Sequence, residues 1–197
     1  DFARAEPVTM ALPAGRTVMV ARAKAKFVMW PGPITIHTWG NKPVLDVNGE
    51  QTFAEVAILR AFQRAGWSAR WLEAYNAAKD WPIVLDRWHP SGITSCEPVE
   101  LESPEVGQLL RSIIQANGGS CRGCWDVVAW KGSRVVLAEA KRRSKDRIND
   151  NQRGFVEAAL SVGVPADAFL IVDWTAVASA SDVCPGRLEV PTRALSA

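Results

Sequence analysis

The chain has little of several things, and each scarcity excludes something. No run among its 197 residues is long or apolar enough to cross a membrane as a helix, and no stretch has the charged start and apolar middle of a signal peptide. An intracellular protein without a membrane partner is the expectation. The chain begins at Asp1 rather than Met, which leaves room for residues upstream. Cysteines are too sparse for a disulfide framework at this size: Cys96, Cys121, Cys124 and Cys184 fit a reducing compartment. Cys121-x-x-Cys124 is half of a structural zinc site. Its other half would have to come from Cys96, Cys184, His37 or His89, none of which has partner spacing. Thiols that pack or sit in a loop are the competing reading. His37 and His89 have no catalytic neighbours in sequence and read as surface or structural residues. A net charge of +2 is too small to indicate a polyanionic partner by itself, and neither an internal repeat nor a low-complexity segment is present.

What is present is core. About half of the residues are hydrophobic, enough for one domain with decorations. The nine Trp are scattered from Trp30 to Trp174, so they mark core and core edge rather than one stacking platform. Residues 1–15 read as an arm. Thr17 to Trp30 and Ile34 to Trp39 read as two strands joined through Pro31-Gly32-Pro33, with Asn48-Gly49 closing that region. Thr52 opens a helix to about Ala65, stopped by Gly66, and Trp67 to Tyr75 alternates as a strand. Residues 76–102, punctuated by Pro82, Pro90 and Pro98, read mostly as loop. Ser103-Pro104-Glu105 starts a second helix, which Gly118-Gly119 ends. A third spans about Asn151 to Val162, and Ala168 to Trp174 forms a last buried strand. The order is helix, three strands, helix, strand, with a helix inserted after the first strand, an α/β sandwich pattern.

The segment from Trp125 to Lys141 carries the most information. Two β-branched runs flank Gly132-Ser133, a Gly-first pair suited to a two-residue II′ turn. If Lys131 faces Arg134, paired residue numbers add to 265, and Asp126 with Glu139 satisfies that register. The two carboxylates are then directly opposed, with Cβ atoms ~5 Å apart. Lys141 falls on the same face, with Val128, Trp130, Val135 and Leu137 toward the turn. Facing carboxylates at the end of a buried face repel unless something cationic sits between them, and a divalent metal is the natural candidate. From Lys141 to Arg153 there follow six bases, Lys141, Arg142, Arg143, Lys145, Arg147 and Arg153, against Asp146 and Asp150. An incoming phosphodiester would need positive charge there, although such runs also occur as solvated faces.

These residues resemble the PD-(D/E)XK nuclease superfamily, most closely its VRR-NUC branch. The matching elements are Gly123-Cys-Trp-Asp126, Glu139-Ala-Lys141, Asn151-Gln152 followed by Phe155, and an acid, Glu55, in the opening helix. The Pro that usually precedes the strand Asp is Trp125 here. The resemblance covers about residues 50 to 175. It implies a restriction-endonuclease-like core, a central mixed β-sheet flanked by helices in the order αβββαβ. That core would occupy residues 48–176, with an N-terminal β-rich extension over 1–47 and a tail over 177–197.

It also implies a Mg²⁺- or Mn²⁺-dependent deoxyribonuclease, an endonuclease or structure-specific nuclease acting on DNA. Such an enzyme would be cytoplasmic or associated with a nucleoid or nucleus. Asp126, Glu139 and the Ala140 carbonyl would hold the metal, which Glu55 would approach from the opposite side. Lys141 would orient the attacking water or neutralise developing charge, and Gln152 would steady Lys141 or the water. Arg142, Arg143, Lys145, Arg147 and Arg153 would contact phosphates. Glu55 has a second reading, since Thr52-x-x-Glu55 is also a capping box. Two other functions stay open: a non-cleaving nucleic-acid-binding module and a zinc-stabilised interaction domain. Assembly into a homodimer also stays open.

Overall fold

Alternating strands and helices with one apolar face sort the chain into a mixed β-sheet with helices on both sides. The computed structural model describes residues 2–38, 42–74 and 80–179. Within them the order is β1 (Phe2–Ala11), β2 (Thr17–Met29), β3 (Leu45–Val47), β4 (Glu50–Thr52), α1 (Ala54–Arg64), β5 (Ser68–Glu73), β6 (Ile83–Leu85), α2 (Pro104–Ala116), β7 (Val127–Lys131), β8 (Arg134–Arg142), α3 (Asp150–Ser161) and β9 (Phe169–Val177). Short 3-10 turns occur at Ile93–Ser95 and Ala166–Ala168.

The sheet runs β4-β3-β2-β9-β8-β7-β5-β6, with β1 also paired to β2. The neighbours β5, β7 and β8 are antiparallel, whereas β9 joins β8 in parallel after the α3 crossover. On its other edge β9 takes β2, again in parallel, from Ala21↔Leu170 to Val28↔Val177. The expected hairpin forms in the expected register, Lys131↔Arg134 through Val127↔Ala138. Gly132 has φ +59° while Ser133 keeps a negative φ, the II′ pattern of signs that matches strand twist.

Strand pleating divides the core in two. Val127, Ala129, Val136 and Ala138 point at α1, which buries Phe53, Ile58, Leu59 and Phe62 against them. Val128, Trp130, Val135 and Leu137 point the other way, at Leu110 and Ile113 of α2 and Phe155 and Val156 of α3. Each fully buried side chain of this size contributes roughly 1.5–3 kcal/mol, so both helix layers are firmly held. Those layers position the site, which lies where β7 and β8 run out between them.

Three sequence expectations are corrected. Residues 1–15 are not a free arm: Phe2–Ala11 is a strand, with Phe2 and Met10 buried. Its pairing with β2 slips between Ala5 and Val8, around Pro7, which has no N–H to give a ladder. Residues 34–38 form no strand, and Trp39 lies outside the described residues. Pro31 and Pro33 lack donors, and the Gln51 side chain binds the segment instead. Gln51 accepts from the Thr35 and Ile36 amides at 2.8 and 3.3 Å and donates to the Pro33 carbonyl at 3.0 Å. Over the described part of 76–102 the chain is mostly loop, as expected, with the short strand β6 added. The capping box at Thr52 is absent, since the N-cap is Phe53 and makes no side-chain cap bond. Tyr75, Cys184 and the tail beyond residue 179 lie outside the described residues.

Candidate active site

Asp126 is the first residue past the β7–β8 ladder, and Glu139 is its counterpart on β8. The Asp126 carbonyl accepts from the Leu72 amide at 2.7 Å, which fixes the backbone to β5. Side chains and backbone then cross-link the two acids. The Asp126 amide donates to Glu139 Oε2 at 3.3 Å, and the Ala140 amide donates to Asp126 Oδ2 at 2.8 Å. Glu139 Oε1 lies 2.9 Å from Lys141 Nζ and accepts from Gln152 Nε2 at 2.5 Å. Lys141 Nζ in turn donates to Gln152 Oε1 at 3.0 Å. Glu139, Lys141 and Gln152 are all buried, so each polar atom must be matched. Gln152 reaches them from the first turn of α3, where it closes a capping box with Asn149. The sequence placed Gln152 near Lys141; its bond to Glu139 and its capping role come from the structure.

Glu55 stands on the other face of the sheet, at the start of α1, and is buried. It does not join the Asp126–Glu139 pair directly. Its Oε1 pairs with Lys42 Nζ at 2.5 Å, and Lys42 also interacts electrostatically with Asp126 and Glu73. Glu73, at the end of β5, is a further buried acid. Sequence reasoning missed Lys42 and Glu73. Pairing parity on β5 would have located Glu73; no local signal marks Lys42.

Burial, then repulsion from Glu139 and Glu55, pushes the Asp126 carboxyl well above its ordinary range, with Lys42 and the Ala140 amide opposing. The side chain keeps one edge on solvent while most of its surroundings are protein. Glu139 is also raised, chiefly by burial, with the ion pair to Lys141 and the Gln152 bond acting in the opposite direction. Burial lowers Lys42, but Glu55, Asp126 and Glu73 outweigh it and leave its ammonium raised overall.

The basic run divides. Lys141 is part of the polar cluster, and Arg142 lies over the Trp174 ring at 5.7 Å while its amide is held by Asp146. Arg143 and Lys145 are exposed on the loop. Arg147 and Arg153 line a cleft of about 320 Å³ together with Lys141, Arg22, Asp146 and Asp173. Arg22 and Asp173 are ion-paired there. The cleft opens beside Lys141, with β1 residues 8–11 as its far wall.

Cys121 and Cys124 are buried thiols joined by a tight turn, Cys124 N to Cys121 O at 3.0 Å. Burial first, then Cys121, Glu139 and Asp126, raise the Cys124 thiol well above its usual value. His37 and His89 are exposed in loops, where the Ser91 amide donates to His89 Nδ1 at 3.1 Å. Among the described residues no three Asp, Glu, His or Cys side chains converge as ligands of one ion. The donor set at the strand ends is two carboxylates, Asp126 and Glu139, with the Ala140 carbonyl next to Glu139 in sequence. All are hard oxygens, with Glu139 buried and Asp126 half-buried, so the set suits a divalent cation of the Mg²⁺ or Mn²⁺ type. No family model matches the chain, and comparison with curated proteins and with solved structures gives no match either.

Proposed function

We propose that the chain is a divalent-metal-dependent nuclease that hydrolyses DNA phosphodiester bonds at Asp126, Glu139 and Lys141. Its core would be of the PD-(D/E)XK kind. One observation carries the reading: two carboxylates held together at the ends of buried strands, with a buried lysine and glutamine locked onto one of them. A purely structural role has no use for that arrangement, because clustered buried acids weaken a fold. The succession α1, β5, β7, β8, α3, β9, with β6 and α2 inserted after β5, also supports it. Asp126, Glu139 and the Ala140 carbonyl would hold Mg²⁺ or Mn²⁺. When bound, such an ion lowers the pKa of a water and offsets charge on the phosphate. Lys141, fixed by Gln152, presents its ammonium where charge develops on the scissile group or where the attacking water must be oriented. Arg147 and Arg153 neutralise backbone phosphates arriving along the cleft.

The test is cleavage of single-stranded, nicked, flapped and duplex DNA by the full chain with Mg²⁺ or Mn²⁺. The expected result is cutting that Asp126→Asn abolishes. Intact substrates throughout would overturn it, and binding without cleavage, unchanged in Asp126→Ala, would favour a non-cleaving nucleic-acid-binding module.

A further inference from the structure

Lys42 sits where the acids of both sheet faces meet, yet it is more than eighty residues upstream of Asp126. Its ammonium lies 2.5 Å from Glu55, within the field of Asp126 and Glu73, and 6.0 Å from the centre of the Trp71 ring. Its ammonium is therefore the counter-charge of Glu55 and acts electrostatically on Asp126 as well. The two partners differ in freedom: the Lys42 side chain is 32% exposed and the Glu55 side chain 9%. Glu55 is fixed by burial in α1, whereas a four-carbon stem with one side in solvent can withdraw its head into water.

We propose that Lys42 is the resident cation of this acid cluster, the charge that a divalent ion must displace, and that it sets the cation affinity of the site. The inference rests on the metal-dependent reading above. In the metal-free protein the ammonium pairs with Glu55 and offsets part of the charge of Asp126. With Lys42 withdrawn, the fixed Glu55 carboxylate loses its counter-ion, and the added negative charge near Asp126 favours a divalent ion over a monovalent one. The segment before β3 thereby gains a role in the chemistry: it delivers an internal counter-ion that keeps the metal-free site folded and makes metal binding an exchange of cations.

The experiment is Mn²⁺ titration of the full chain by calorimetry, paired with melting curves, for the parent, Lys42→Met and Lys42→Arg. Methionine keeps the stem over Trp71 and removes the charge; arginine keeps the charge. Lys42→Met is expected to bind Mn²⁺ about tenfold or more tightly, because an ion no longer enters against a like charge. Its metal-free melting temperature should fall and its Mn²⁺-induced rise should exceed the parent's. Lys42→Arg should bind no tighter than the parent. If the methionine chain does not fold, Lys42→Gln carries the same test. Equal or weaker Mn²⁺ binding by the neutral variant, with the parent still binding, would overturn the inference and leave the metal-dependent reading intact. A parent that shows no Mn²⁺ binding sensitive to Asp126→Asn would remove the reading itself, and the inference with it.

Discussion

Gly123 and Asn151 meet backbone to backbone. A Cβ on Gly123 would stand 2.1 Å from the Asn151 carbonyl oxygen and 2.8 Å from the Gln152 nitrogen, and Gly123 also has φ +82°. The loop that delivers Asp126 and the helix that delivers Gln152 are therefore set against each other by the absence of a side chain. Gly123→Ala is expected to cost roughly 1–3 kcal/mol, since a backbone neighbour cannot yield as a side chain would. Activity should fall further than stability, because α3 must shift and carry Gln152 away from Glu139. Melting curves and cleavage rates on the same preparation check both.

Asp126→Asn and Glu139→Gln are each expected to abolish cleavage. Removing one of two neighbouring acids at the strand ends relieves repulsion. The Asp126→Asn protein should therefore melt no lower than the parent when metal-free. Glu139→Gln breaks its ion pair with Lys141 and should gain less, or lose. Mn²⁺ should raise the parent's melting temperature and leave both variants unmoved.

The raised Asp126 carboxyl gives metal-free stability a sign with pH. The folded chain binds that proton more tightly than the unfolded chain. Its contribution is therefore whole below the ordinary carboxylate value of about 4 and is lost as pH rises through the higher folded value. Between roughly pH 5 and 8 the metal-free parent should lose melting temperature more steeply than Asp126→Asn. Parallel slopes would show that the carboxyl is not perturbed.

Lys141→Ala is expected to reduce activity by a factor on the order of 10²–10³. Mn²⁺ affinity should hold or rise, since an ammonium beside the ion is removed. Lys141→Arg should rescue poorly: a planar fork cannot keep the 3.0 Å bond to Gln152 and the 2.9 Å pairing with Glu139 in the same space. An alanine variant cutting at the parent rate would reduce Lys141 to a structural partner of Glu139.

Neutralising Arg147 and Arg153, which line the cleft, should weaken DNA binding for all sequences alike. The salt dependence should fall by about one unit of slope for each phosphate that is no longer engaged. Arg143 and Lys145, out on the loop, serve as comparison, and an unchanged slope in every variant would mark the whole run as a solvated face.

The local half of this site was readable because it obeys strand arithmetic. A two-residue turn and period-two alternation suffice to bring Asp126 onto Glu139 and to put Lys141 on their face. Gln152 was placed through its motif, but its capping box with Asn149 depends on where α3 begins, at Asp150 rather than Asn151. Lys42 was not readable, because its position follows from tertiary packing and not from any local period, whereas the parity of β5 would have located Glu73. Glu55 misled in part: Thr52-x-x-Glu55 has the spacing of a cap, yet a lysine ammonium competes more strongly for the carboxylate than a backbone amide does. The strand expected from Ile34 did not form over the described residues 34–38 for a like reason, since prolines removed the donors and Gln51 supplied a substitute.

The parallel pairing of β2 with β9 joins strands far apart in the chain. β9 follows β8 through a short crossover and can form early, but its second edge is closed only by a strand from far upstream in the chain. Such long-range pairing is slow, because loop-closure entropy is lost before the new bonds offset it. Until β2 arrives, eight residues from Leu170 to Val177 present an apolar, unpaired strand edge beside the site. A chain in which β2 has not yet docked thus exposes an unpaired strand edge next to the candidate site, the kind of edge that invites pairing with another chain.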